Sequence, residues 1–268
     1  MTLEVLVATT KQVDFSLVKK MNLTCSAVIA NQNDTNSYSS IDYDGNHFQM
    51  ITTDTKGVGK NRNIALAFSS ADILLFADDD VVYNQGFDKN VIASFEKFPK
   101  ADVIVFGMDL TKEGEVYNRV RGRDKILNRW NALHYGTYVI AIKRKAVLTS
   151  NLHFSELFGG GCVFSSGEDS LFLLDCFRKK LKVFSASYVL GNNPKDVSTW
   201  FTGYNKKYFY DKGAWIAAAF PQMRFFLIRY FAIRHSRLTK LSYREMIKEM
   251  EKGAKNYKSI VPFIGEGK

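Results

Sequence analysis

Short apolar runs alternate with stretches of helical spacing through the first two-thirds of the chain. Leu3–Thr9 (LEVLVAT) is rich in Val and Leu and bounded by polar residues, the pattern of a buried strand. Cys25–Ala30 and His47–Thr52 repeat it, and a helix is predicted around Phe15–Met21. Gly57–Ala71 opens on glycines and continues at helical spacing. Asp72–Ala77 (DILLFA) predicts a fourth strand that runs straight into Asp78, Asp79 and Asp80. A helix over Phe87–Phe98 and a strand over Asp102–Met108 follow. Strands alternating with helices predict an α/β fold, its mostly parallel sheet covered on both faces. Such sheets bind ligands beyond the carboxyl ends of their strands. The polar segments after Thr9, at Asn31 and at Asp78 are therefore expected to face one common site.

The pattern is less regular further on. Tyr138–Ile142 and Leu181–Ser187 read as strands, Phe158–Gly161 as a glycine-rich loop, and Gly167-Glu168-Asp169-Ser170 as the approach to a helix, LFLLDCFRKK. Beyond about Asn192 the chain reads as helices joined by loops. There is no internal repeat and no low-complexity tract. The expected organisation is a domain over residues 1–190 and a helical C-terminal extension over 191–268.

Composition narrows the class. With 46% apolar residues, 14% aromatics and 4 Pro in 268 residues, the chain is not a disordered one, and it is long enough to fold around its own core. The cysteines Cys25, Cys162 and Cys176 form no CxxC pair, which fits a reducing compartment. The first residues carry no basic segment followed by an apolar one, so no secretory leader is expected there.

Charge adds a question. Lys and Arg total 37 against 27 Asp and Glu, a net +10, and nucleic acid, anionic lipid and phosphorylated small molecules all attract such a surface. The excess is local. It gathers at Arg119, Arg121, Arg123, Lys125 and Arg129, at Lys143–Lys145, and from Gly213 to Arg244, where no acidic residue occurs. That last stretch is also apolar and aromatic. Pro221, Gln222, Arg224 and Arg229 break it short of the roughly 18 apolar residues of a membrane span. It reads either as a basic amphipathic surface helix or as a packed helix whose arginines face water.

Three clusters carry candidate chemistry. Asp78–Asp80 repel one another at a strand end unless a cation neutralises them, and oxygen ligands suit Mg²⁺ or Mn²⁺. GVGKNRN places Gly57, Gly59, Lys60 and Arg62 at a helix start, where backbone N–H groups favour anions; it is neither a Walker motif nor GxGxxG. Glu168 and Asp169 open a helix after a glycine-rich loop. Adjacent acids there divide acid–base roles or simply cap the helix.

Together and in order, these segments resemble a family 2 glycosyltransferase of the GT-A fold, over roughly residues 1–190. VLVATT resembles the first strand and its uridine-contacting loop, AVIANQND the second strand and its nucleobase-binding end, and GVGKNRNIAL the Gly-x-x-x-x-Arg-Asn segment. LLFADDDVVY carries Asp-x-Asp as Asp78 and Asp80, and FGGG…SSGEDSLF resembles the acceptor loop and Glu-Asp base motif. The tail STWFTGYNKKYFYDKGAW is similar to that of bacterial capsule and exopolysaccharide transferases. The loop NQNDTN departs from the commoner Asp-rich version, which leaves the base contact open among Asn31, Gln32, Asn33 and Asp34.

The resemblance implies a UDP-sugar donor, a glycan or lipid-linked sugar acceptor, and inversion at the anomeric carbon. It implies Asp80 as a ligand of Mn²⁺ or Mg²⁺, Asp169 as general base with Glu168 orienting the acceptor or tuning Asp169, and Thr9, Asn31, Asp34, Arg62, Asp78 and Asp79 as contacts of the nucleotide-sugar. The implied location is cytoplasmic, and two roles compete for the basic C-terminal extension: docking at the anionic inner face of the cytoplasmic membrane, or closing as a lid over the donor with Lys206, Lys207 or Lys212 meeting the diphosphate. No zinc-finger, RNP or helix-turn-helix signature supports a nucleic-acid partner. The rival reading is a catalytically degenerate GT-A protein acting as a basic membrane or nucleic-acid binding module.

Overall fold

The apolar runs become the interior strands of one mixed sheet in the computed structural model, which describes residues 1–112, 115–120, 122–194 and 203–264. Arg121 of the basic cluster and residues 198–202 of the tail motif lie outside them. In chain order the elements are β1 (Leu3–Thr10), α1 (Ser16–Lys20), β2 (Ala27–Gln32), β3 (Ser37–Tyr43), β4 (Asn46–Thr53), α2 (Val58–Phe68), β5 (Ile73–Asp78), β6 (Val82–Tyr83) and α3 (Phe87–Lys97). Then come β7 (Val103–Lys112), β8 (Glu115–Val120), β9 (Lys125–Ile126), β10 (Ile140–Lys143), α4 (Arg144–Ser150), α5 (Glu168–Arg178), β11 (Val183–Pro194), α6 (Lys206–Ala219), α7 (Arg224–His235) and α8 (Tyr243–Ile264).

The strand order is β3-β4-β2-β1-β5-β10-β7-β11-β6, with β8 paired to β7 and β9 to β11. β4, β2, β1 and β5 are parallel, β10 is antiparallel to β5 and β7, and β11 is parallel to β7. The central strands β1, β2 and β5 are buried nearly end to end, as strands covered on both faces must be. Phe76 of β5 meets Phe154 and Phe172 edge-on, at 5.0 and 5.5 Å between centroids, and those two rings stack at 4.2 Å. This cluster ties β5, the segment after α4, and α5 into one core.

The pattern reading has no element at β3, β6, β8, β9 or α4, and it ends β11 early. β3 is an added edge strand, antiparallel to β4. Every one of its residues is exposed, so no buried face imposes alternation on its sequence. β11 runs to Pro194 with irregular register, pairing Asn192 with Asp109 and Asn193 with Leu110. The expected boundary at 190/191 therefore falls inside a strand.

The chain divides into two compact units, Met1–Glu156 with Glu168–Val197, and Leu157–Gly167 with Ser198–Lys268. Within the second, α6 and α8 cross at glycines. A Cβ on Gly213 would stand 1.9 Å from the Met250 carbonyl oxygen, and one on Gly253 1.8 Å from that of Tyr210. The loop 157–167 belongs to this unit. Phe158 and Phe164 stack at 4.8 Å, and Ser165 donates to Asp211 through both its N–H (3.2 Å) and its hydroxyl (2.6 Å). Lys212 lies among the rings of Trp215, Phe231 and Tyr208, and burial pushes its ammonium below the usual lysine range.

Candidate active site

Parallel registry brings the first groups together. Ala8 of β1 lies opposite Asp78 of β5, and Thr9 opposite Asn31 of β2. Thr9 Oγ1 donates to Asp79 Oδ2 at 2.5 Å. The acidic run therefore leaves β5 directly beside the end of β1, at the carboxyl edge of the sheet.

The start of α2 is built for close packing. A Cβ on Gly59 would lie 2.1 Å from the Ser155 carbonyl oxygen, so only glycine lets α2 sit this near to residues 154–155. Asn63 exchanges two hydrogen bonds with the Phe154 backbone, at 2.9 and 2.7 Å, and Asn61 Nδ2 donates to the Thr9 carbonyl at 3.0 Å. Arg62, between them, is 4% exposed. Its guanidinium packs 5.4 Å from the Phe154 ring centroid.

That guanidinium joins both acidic motifs. Arg62 Nη2 donates to Asp78 Oδ1 at 2.8 Å; Nη1 donates to Glu168 Oε1 at 3.1 Å and to Asp169 Oδ1 at 3.2 Å. Burial alone would lower its pKa, but Asp78, Asp169 and Glu168 together hold it above the usual arginine value. Glu168 goes the other way. Burial, and then the Asp169 charge, push its carboxyl up to about 7 against the opposing pull of Arg62. Thr137, 1% exposed in a 3₁₀ turn leading into β10, donates its hydroxyl to Asp169 Oδ1. Both of these bonds to Asp169 fall on Oδ1. Oδ2 is left to accept a proton, on a side chain 34% exposed.

Asp80 is held from β11. Asn193 Nδ2 donates to Asp80 Oδ1 at 3.1 Å. Asn193 is fully buried, and its Oδ1 has no hydrogen-bond partner. A buried amide oxygen without a donor costs roughly 1–3 kcal/mol, and a cation beside Asp80 would satisfy it. Carboxylate and amide oxygens are both hard ligands of the kind Mg²⁺ and Mn²⁺ take, so this pair fits such an ion. Among the described residues no group of three or more His, Cys, Asp and Glu is arranged to hold a metal.

Two hydrogen-bonded groups, Thr9 with Asp79 and Arg62 with Asp78, Glu168 and Asp169, meet at the consecutive residues Asp78 and Asp79, and Asp80 follows them in the turn after β5. Two of the expected nucleotide contacts also make internal bonds. Arg62 is buried and bonded to three carboxylates, while its Nε has no hydrogen-bond partner. Asn31 is fully buried and pins the loop after β1, accepting from the Gln12 N–H and donating to the Gln12 carbonyl and to Thr52 Oγ1. Asp34 is exposed, in the turn between β2 and β3. Sequence reading missed Thr137 and Asn193. Neither stands in a motif; only the helix and strand pairing brings them to the acids.

The family model described as Glycosyl transferase family 2 matches residues 31–154. That segment contains Asn31, Asp34, Arg62 and Asp78–Asp80 and ends before Glu168. No curated protein sequence matches the chain. Among solved structures, S. aureus TarS 1-349 in complex with UDP-GlcNAc is similar over 97% of this chain and 92% of its own, at 13% identity and a TM-score of 0.63. S. aureus TarS 1-349 in complex with UDP is similar over 100% and 92%, at 14% identity and a TM-score of 0.60. At such identities the likeness is one of fold, and the fold is GT-A: a mixed sheet flanked by helices, followed by C-terminal helices.

Proposed function

We propose that this chain, which carries the glycosyl transferase family 2 domain on a GT-A fold, moves a sugar from a UDP-sugar to an acceptor hydroxyl with inversion at the anomeric carbon. The observation that carries the reading is the Arg62 bridge, which links Asp78, at the head of the Asp78–Asp80 turn, to the Glu168–Asp169 pair. The complexes of the similar structures with UDP and UDP-GlcNAc support the choice of donor.

In this reading Asp169 Oδ2 takes the proton of the acceptor hydroxyl. The acceptor oxygen forms its bond to the anomeric carbon as the bond to the diphosphate oxygen breaks, and UDP leaves with that electron pair. No covalent enzyme intermediate is needed. Arg62 and Thr137 hold Asp169 Oδ1, so the other oxygen points to one place; orientation of this kind is a large part of general-base catalysis. Glu168, near neutrality in its proton affinity, buffers the charge beside the base. Thr9, Asp78, Asp79 and Asp34 are proposed to line the nucleotide-sugar, with Asn31 shaping the loop beneath it.

Asp80 and Asn193 would hold a Mn²⁺ or Mg²⁺ ion. Such an ion supplies positive charge against the diphosphate as it departs. The acceptor is proposed to be a glycan or lipid-linked sugar of bacterial surface polysaccharide synthesis, met at the inner face of the cytoplasmic membrane. A thermal-shift screen of UDP-, GDP- and dTDP-sugars with Mn²⁺ tests the donor. Stabilisation by UDP-sugars above the others supports the reading, and no response to any of them overturns it.

A further inference from the structure

We propose that the outer face of α7 is a docking surface for an anionic lipid bilayer. The helix has two unlike sides. Ile228, Ala232 and His235 are buried, where α7 packs on α8 and α6. On the other side Phe226, Tyr230 and Ile233 recur at steps of four and three residues, which places them on one face. They are 71%, 52% and 64% exposed. Met223 extends the stripe by one step, and Phe225 flanks it, also more than half exposed. A contiguous apolar stripe held open to water marks a surface that is covered in use.

Charge identifies the cover. Arginines are interleaved with the stripe. Arg229 lies over the Phe225 ring at 3.3 Å from its centroid, and Arg234 Nη1 donates to the Tyr230 hydroxyl at 3.1 Å. Arg237 and Lys240 follow the helix, and no acidic residue occurs from Gly213 to Arg244. Among the described residues Arg229, Arg234 and Arg237 form no ion pair. Apolar rings at the acyl boundary with cations at the phosphate level is how an amphipathic helix lies in a bilayer interface. A second copy of this chain fits poorly, because a two-fold contact sets the same arginines against one another. Among the described residues no helix is long and apolar enough to cross a membrane, which agrees with a helix lying on the surface. The inference stands independently of the donor assignment.

Flotation of the full chain with phosphatidylcholine vesicles, with and without phosphatidylglycerol, tests it. The wild type should float with the anionic vesicles and much less with neutral ones. The surface double variant Phe226→Glu/Ile233→Glu should lose about tenfold or more in vesicle partition, with its thermal melt unchanged. Arg229→Gln/Arg234→Gln should lose the preference for anionic lipid. Two results would overturn the proposal: a wild type that stays with neither vesicle, or a folded Phe226→Glu/Ile233→Glu variant that floats as well as the wild type. A wild-type dimer dispersed by the same double variant, without flotation, would assign the face to self-association instead.

Discussion

Arg62 Nη1 stands 3.2 Å from Asp169 Oδ1, and the same guanidinium reaches Asp78 with its other terminal nitrogen. The arginine of the Gly-x-x-x-x-Arg-Asn segment is thus the counter-charge of the proposed base. It couples the two acidic motifs that sequence alone could only set side by side.

Replacing Arg62 by Met should leave three carboxylates without their cation. Breaking a buried ionic network by removing one partner costs about 3–5 kcal/mol. Urea unfolding at pH 8 should show a loss of that order, and a change below about 1 kcal/mol would show that the network carries little stability.

The Glu168 carboxyl gives a signed pH dependence. Folding raises it from 4.5 to about 7, so the folded state holds this proton more tightly than the unfolded chain. The stability it contributes is full below about pH 4.5 and is lost as pH rises through 7. Glu168→Gln keeps an acceptor for Arg62 and cannot ionise. Its melting temperature should therefore gain on the wild type between pH 5 and pH 8; a constant difference across that window would contradict the assignment.

Thr137 should act through Asp169 alone. Thr137→Val removes a hydroxyl at nearly constant shape and should lower kcat by roughly tenfold while leaving KM for the donor unchanged, and Thr137→Ser should restore most of it. A rise in KM with kcat intact would place Thr137 in donor binding instead.

Asn193 should matter to metal. Asn193→Leu removes the orphaned oxygen and the bond to Asp80, and should weaken Mn²⁺ binding in the presence of UDP by about tenfold or more, the scale of lost ligand support. Calorimetry or the Mn²⁺ electron-spin signal reads this without activity. Equal affinity in the variant would remove Asn193 from the site.

The sheet was legible because buried strands must be apolar: Leu3–Thr9 and Asp72–Ala77 lie almost on β1 and β5, and their shared edge was where ligand chemistry was expected. β3 was not legible, since an exposed edge strand has no buried face to pattern it. The acidic residues stood out because clustered like charge is conspicuous in any sequence. Their organisation did not. Thr137 and Asn193 are ordinary residues until a turn and an irregular strand carry them to Asp169 and Asp80. The burial of Asn31 and Arg62 and their internal bonds were not legible either, since a polar residue in a loop or at a helix start does not advertise them.

Sugar transfer by general base from Asp169 is the central claim, and single-turnover transfer by Asp169→Asn tests it most directly. The variant should bind UDP-sugar with wild-type affinity by calorimetry and lose transfer by about 10²-fold or more. Transfer near the wild-type rate, with donor binding intact, would contradict the account.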